Sequence, residues 1–485
     1  MPYGQPSKQS HRNPAALGVH TRSIRSLRLA RRWRVDRINQ VFSHIDNHRD
    51  EFLARLFEYL RQPSISALGL GVRETAQDLV SLFGRVGLTC EIHETAGWPI
   101  LVGRRLDEPG APTVLFYGHY DVQPPDPLEE WVSPPFEPTI RNGRIYARGV
   151  GDNKGQHFAN LLAIESMIAC DGQLPCNVIV LLEGEEEVGS PHIADFIRGH
   201  RTQLQADLAI TSDGPVHESG RSCILFGVRG VASFELRAQG AKSDLHSGNW
   251  GGVAPNPLWT LVHLLSTMKS KDGEITIDGF HDDVHPATSR ERMALNGLPY
   301  DEEKIKSDLG IHSFDAPTHR PIADRLSLWP TLTINGLHGG YSGPGSKTVI
   351  PHQAIAKCDI RLVSDQSRDD VLSKVEAHVR SHAPDVEFIS MGGMEPSKTP
   401  LDSPYAQPLR QAIIDAQGQD PLLVPALGGT LPDYVFTQIL QIPSFVIPYA
   451  NADEANHAPN ENLELKRFFA GIKTGAAILS QLGDV

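Results

Sequence analysis

Residues 177–190 read NVIVLLEGEEEVGS. The unbroken apolar run from Val178 to Leu182 has the length and texture of a strand buried on both faces. It leads directly into Glu183, Glu185, Glu186 and Glu187, with only Gly184 between. Like charges gathered at the mouth of a core cost stability unless a cation binds among them or water screens them. Ligands of open α/β sheets collect beyond the carboxyl ends of the strands, so this one stretch bears on both architecture and chemistry.

Comparable β-rich runs stand at 112–117 (PTVLFY) and 206–211 (ADLAIT), with helical patterns at 155–170 and 191–204 between them. That alternation predicts an α/β unit around a mostly parallel central sheet. Upstream, an amphipathic helix is expected over 38–60 and a second over 74–86. From about Leu225 the pattern changes to period two, in FGVRGVASFELRAQG, PTLTINGLHGG and AIAKCDIRLVS, with helical stretches at 257–268 and 367–381. Such alternation describes half-exposed antiparallel strands, and hence an α+β domain inserted into the first. The expected division is a basic tail over 1–37, the α/β domain over 38–224 and 396–485, and the insertion over 225–395. A helix at 408–416 and a last buried run, PSFVIPY at 443–449, complete the second part.

A chain of 485 residues with 40% apolar content can bury cores of two domains. No apolar run approaches the roughly 18–20 residues of a membrane span, so no membrane partner is expected. The net charge of −13 argues against nucleic acid. Five cysteines without a CxxC pair suit a reducing compartment, and the expected location is cytoplasmic. The tail, rich in Arg and Ser, is read as disordered or as an organelle-targeting segment.

Metal-capable side chains follow strand after strand. PTVLFY is followed by His119 and Asp121, NVIVLL by the glutamates, ADLAIT by Asp213 and PSFVIPY by NADEANH with His457, while RGVGDNKG sets Asp152 in a glycine-rich turn ahead of a helix. A lone histidine or acidic run is ordinarily structural. Neutral imidazoles combined with carboxylates form the donor set of zinc and related divalent ions, and a cation there would neutralise the acids. An acid of the run without a ligand role is a candidate proton shuttle, and Asp121 is placed to orient His119.

GHYDVQP, RGVGDNKG, LEGEEEVGS, TSDGP, DLHSGNWGG, GGTLP and NHAPNE together resemble the zinc amidohydrolase family that includes cytosolic nonspecific dipeptidase, carnosinase, acetylornithine deacetylase, succinyl-diaminopimelate desuccinylase and glutamate carboxypeptidase. The resemblance covers most of the chain after about residue 50. It implies a zinc-peptidase-like catalytic fold with the insertion as lid and dimerisation domain. It further implies two divalent ions per subunit, zinc first, with manganese or cobalt as alternatives. Asp152 would bridge them, His119 and Asp213 completing one shell and Glu187 and His457 the other. By the same resemblance Glu186 is the general base, Asp121 orients the first histidine, and His246 reaches the partner site of a homodimer. Arg361, Gly429 and Thr430 bind the substrate carboxylate.

The implied reaction is hydrolysis of a peptide or amide bond in a small peptide, with N-acyl-amino-acid deacylation as the alternative and a noncatalytic metal-binding scaffold as the remaining class. Pro425, Ala426 and Leu427 stand where dipeptidases of this group often carry charge. The residue-level alternatives are a turn histidine for His246 and a surface ion pair for Arg361, while Asp433 is expected to cap the helix that follows it.

Overall fold

The computed structural model describes residues 24–317 and 319–483. Positions 1–23 of the expected tail therefore lie outside the described residues, while those from Ile24 on belong to a helix, Ile24–Asn47. The single helix expected over 38–60 is divided at His48, where φ is −107° and ψ 17°, and resumes as Arg49–Arg61.

In chain order the principal strands are β1 (Thr89–His93), β2 (Ile100–Arg105), β3 (Thr113–His119), β4 (Asn177–Glu183), β5 (Leu208–Thr211), β6 (Cys223–Leu225), β7 (Gly230–Gln239), β8 (Thr331–Gly339), β9 (Gln353–Leu362), β10 (Glu387–Met394), β11 (Leu422–Val424) and β12 (Ser444–Val446). The large sheet has the order β1-β2-β4-β3-β5-β12-β6-β11. It is mixed: the central β4, β3, β5 and β12 are mutually parallel, whereas β1 and β2 are antiparallel to their neighbours and β12 meets β6 antiparallel. Helices cover both faces, as a parallel core requires. Val178, Val180 and Leu182 of β4 pack in one cluster with helices Lys154–Asp171 and Leu465–Leu482; Ile179 and Leu181 join the opposite cluster with Ile193–Gly199. This two-sided burial explains why β4 shows no alternation in sequence.

Register aligns the ends of the parallel strands. His119 of β3 lies opposite Glu183 of β4, Tyr117 opposite Thr211 of β5, and Thr211 opposite Val446 of β12. The residues that follow these strands are therefore delivered to one edge of the sheet.

Strands β7–β10 form a separate antiparallel sheet in the order β8-β9-β7-β10, backed by helices Pro257–Met268 and Arg368–His382. The two connections to the large sheet run side by side: Val228 pairs with Ser397, and Val231 with Met394. Asp433 lies beneath this ribbon. It accepts hydrogen bonds from Ser397 Oγ at 2.6 Å and Ser444 Oγ at 2.5 Å, and Ser397 Oγ in turn accepts from the Val228 amide. The expectation that Asp433 caps a helix fails, because Val435–Leu440 begins after Tyr434 without a side-chain cap. Its carboxylate braces the crossing instead.

Leu181 is fully buried in β4. Leu181→Ala leaves a cavity between sheet and helices and is expected to lower unfolding free energy by about 2–5 kcal/mol, readable by urea denaturation.

Candidate metal centre

At the shared strand edge Asp152 faces two histidines with different oxygens. Its Oδ1 lies 3.0 Å from His119 Nε2 and its Oδ2 3.1 Å from His457 Nε2. His119 Nε2 is also 3.4 Å from Asp213 Oδ2, and His457 Nε2 is 3.2 Å from Glu187 Oε2. Two candidate ion-holding groups result, His119–Asp152–Asp213 and Asp152–Glu187–His457, with Asp152 common to both. His119 ends β3 itself, and the other members come from separate loops, Asp152 from the turn ahead of helix Lys154–Asp171. Glu187 sits in the turn Glu186–Val188 after β4, Asp213 follows β5, and His457 projects from the loop after β12 with φ of 58°.

The surrounding hydrogen bonds hold these loops in place. His119 Nδ1 faces two acceptors, the Asp121 carbonyl at 3.0 Å and its carboxylate at 3.3 Å, which hold a proton on Nδ1 and turn Nε2 toward Asp152 and Asp213, where a proton or a cation must stand between them. Asp121 is fully buried and also accepts from the amides of Glu186 and Glu187. One residue thereby positions two candidate ligands and Glu186. Sequence reading gave no role to several other supports. Glu461 accepts from the amides of Gly149, Gly151 and Asp152 and from Arg148. The Asn153 side chain accepts from the His119 amide and donates to the Ser212 carbonyl. Gln123 donates to Glu187 Oε2 at 2.9 Å. Glu461 was visible in NHAPNE, four residues past His457, but neither its burial nor its amide partners can be read from spacing. Glu454 was also missed; it is buried with no hydrogen-bond partner on either carboxylate oxygen.

The electrostatics report excess negative charge in a small volume. Burial raises the pKa of Glu186, Glu187 and Asp213, and neighbouring carboxylates add to it; Glu186 is held well above the carboxylate range. Burial opposes charge on His119, but hydrogen bonds to Asp121, Asp152 and Asp213 prevail and hold it well above the usual imidazole value. Asp152 and Glu187 draw His457 up to about 10. A cation bound here would supply the positive charge that these groups otherwise take from protons, and imidazole with carboxylate is a donor set that suits divalent ions.

The four glutamates divide. Glu183 accepts from Tyr117 Oη at 2.6 Å and Ser190 Oγ at 3.0 Å, and burial pushes its carboxyl to about 8, so it is largely neutral at pH 7. Glu185 pairs with His192 Nδ1 at 2.7 Å. Only Glu186 and Glu187 face the candidate centre, while local partners satisfy Glu183 and Glu185.

Four other residues named from sequence lie outside the two candidate ligand groups. Arg361, on β9, donates from Nη1 to Thr430 Oγ1 at 2.7 Å and approaches Asp359 at 3.5 Å; Gly429 adjoins Thr430 in the same loop. His246 is exposed on the inserted unit, where its Nδ1 accepts from the Gly248 amide and its Nε2 meets Thr348 Oγ1 at 3.3 Å.

Arg148 and Glu461 form a pair with side chains 1% and 0% exposed. Glu461→Ala strands the buried guanidinium and frees three loop amides, and is expected to cost about 3–5 kcal/mol of stability, measurable as a lowered denaturation midpoint.

The model of Peptidase family M20/M25/M40 matches residues 115–481. The Cys-Gly metallodipeptidase dug1 of Schizosaccharomyces pombe is 31% identical over 471 residues, covering 92% of this chain and 99% of that protein. Human Beta-Ala-His dipeptidase is 28% identical, covering 92% and 93%. Among solved structures, the M20 family metallo-carboxypeptidase Sso-CP2 from Sulfolobus solfataricus superposes with a TM-score of 0.84 at 34% identity, over 90% of this chain and all of that one. A two-layered centre of histidines and carboxylates at the edge of this sheet, with relatives matched along nearly their whole length, makes the chain a metallohydrolase that belongs to Peptidase family M20/M25/M40.

Proposed function

We propose that the protein hydrolyses the peptide bond of dipeptides using two divalent ions, zinc first, held by His119, Asp152 and Asp213 and by Asp152, Glu187 and His457. The observation that carries this reading is the single carboxylate of Asp152 shared between two candidate ligand groups, with Glu186 half-buried beside them and close enough to feel their charges. Bound divalent ions supply Lewis acidity that polarises the scissile carbonyl and acidifies water. Glu186 takes the proton of that water and delivers it to the departing nitrogen. Desolvation and the neighbouring carboxylates of Asp213, Glu187 and Asp152 raise its basicity, which suits a group that must both accept and return a proton. The relatives matched over most of both chains carry peptidase names, which favours dipeptides over N-acyl amino acids, and Glu186 favours an enzyme over a scaffold.

Arg361, Thr430 and the backbone at Gly429 take the free carboxylate of the substrate. A guanidinium already engaged with a threonine hydroxyl presents further N–H groups in the fork geometry that a carboxylate accepts. His246 acts on the site of a second subunit. A homodimer is supported by the free edge of β8, where Ile334 is 51% and Leu337 42% exposed, beside exposed Trp259 on the adjoining helix. Unpaired strand edges bearing apolar side chains are ready templates for pairing. Five free cysteines suit a reducing compartment, consistent with the cytoplasm, and among the described residues no helix is long and apolar enough to cross a membrane.

Glu186→Gln is expected to keep its metal content, measured by elemental analysis, while kcat for a dipeptide drops about 10²–10⁴-fold; loss of metal with activity would instead make Glu186 a ligand. Mixing inactive His246→Ala and Glu186→Gln dimers under subunit exchange should recover roughly a quarter of wild-type turnover, because only mixed dimers carry one complete site. No recovery despite demonstrated exchange excludes action of His246 across the interface.

A further inference from the structure

Arg229 occupies the first crossing between the two sheets, between the short strand Gly227–Val228 and β7, and is 7% exposed. Its guanidinium makes four hydrogen bonds, all to backbone carbonyls. Nε and Nη2 donate to Gly428 O at 2.9 and 2.7 Å, and Nη1 donates to Arg325 O at 3.2 Å and Trp329 O at 3.3 Å. Its own amide donates to Leu427 O at 3.1 Å. One side chain thus ties the loop that carries Gly429 and Thr430, which follows the insertion, to segment 325–329 within it.

The other end of that loop is held by Arg361, through Thr430 Oγ1. Arg361 pairs in register with Val231, two residues beyond Arg229, so both arginines spring from neighbouring points of the β7–β9 ladder. They also feel each other's charge: burial and the proximity of Arg361 push the Arg229 pKa down to about 10, which leaves it charged at neutral pH. Asp359, the acid nearby, sits 3.5 Å from Arg361. A guanidinium solvated only by carbonyls is a costly way to brace a loop if bracing is all it does, since its charge remains uncompensated by an ion pair.

We propose that Arg229 is a positioning residue for substrate recognition: its fork sets the spacing between Thr430 and Arg361 and adds a second positive charge behind the carboxylate pocket. This rests on the reading above that Arg361 and Thr430 receive the substrate carboxylate. Lysine keeps the charge but cannot span three carbonyls with a planar fork, so Arg229→Lys isolates the geometry. Gly428→Ala tests the same clamp without removing the arginine, because a Cβ there would lie 3.0 Å from Leu326 O and 3.4 Å from Arg229 Nη2.

The experiment compares kcat and KM for Ala-Gly and for its C-terminal amide, with metal content and melting temperature, in wild type, Arg229→Lys, Gly428→Ala and Arg361→Ala. The expected result is a KM for Ala-Gly raised about tenfold or more in both clamp variants, kcat within about twofold, metal content unchanged, and the amide unaffected. If Arg229→Lys does not fold, Gly428→Ala carries the test. Equal losses on both substrates, or clamp variants that behave as wild type while Arg361→Ala loses its preference for the free carboxylate, overturn the role of Arg229. An Arg361→Ala enzyme that keeps that preference overturns the carboxylate pocket itself, and the inference with it.

Discussion

The carboxylate of Asp152 must lie between two imidazoles while Asp213, Glu186 and Glu187 crowd around it, and much of the structure serves that requirement. Several acids within a few ångströms of one another repel, and burial multiplies the cost. The fold answers with directed dipoles and hydrogen bonds at each step. Glu461 gathers the amides of Gly149, Gly151 and Asp152, Asp121 gathers those of Glu186 and Glu187, and Asn153 fastens His119 to Ser212. The candidate centre is thus built largely on loops, yet on loops whose backbones are fastened to buried side chains, which is what keeps the candidate ligands together rather than splayed by their own charge.

That arrangement depends on the sheet below it. Four adjacent parallel strands end in register, and helices on both faces leave their carboxyl edge as the open side. The insertion adds a second constraint. Its two connections pair with each other and are braced by Asp433 from below and by Arg229 from the side. The segments bearing Arg361 and Thr430 belong to opposite sides of that crossing, so the geometry between them is a property of the crossing and not of either sheet alone.

Much of the architecture was legible because it follows from periodicity. The continuous apolar runs at 112–117, 177–182 and 206–211 became β3, β4 and β5, and the period-two segments after Leu225 became the second, antiparallel sheet. Where sequence reading went astray, the deciding partner lay far along the chain. The run of four glutamates looks uniform in sequence, but Tyr117 and Ser190 claim Glu183, His192 claims Glu185, and only two members face the centre. Asp433 stands in a helix-capping context, yet Ser397 and Ser444 satisfy it. The antiparallel pairing of β12 with β6 carries no signal in either strand, because pairing direction is set by the route of the intervening chain.

By itself, then, the sequence determined which residues are chemically able to act, since imidazoles and carboxylates at the ends of buried runs are properties of residue type and spacing. It also determined that those runs must be strands covered on both sides, because nothing else buries them. Only the tertiary structure decided which acids share a cation-sized space, which are satisfied by a phenol or an imidazole nearby, and that the buried guanidinium of Arg229 links the two sides of the crossing. Coulombic and hydrogen-bond energies depend on distances between segments hundreds of residues apart, as with Arg148 and Glu461, and such distances exist only once the chain has folded.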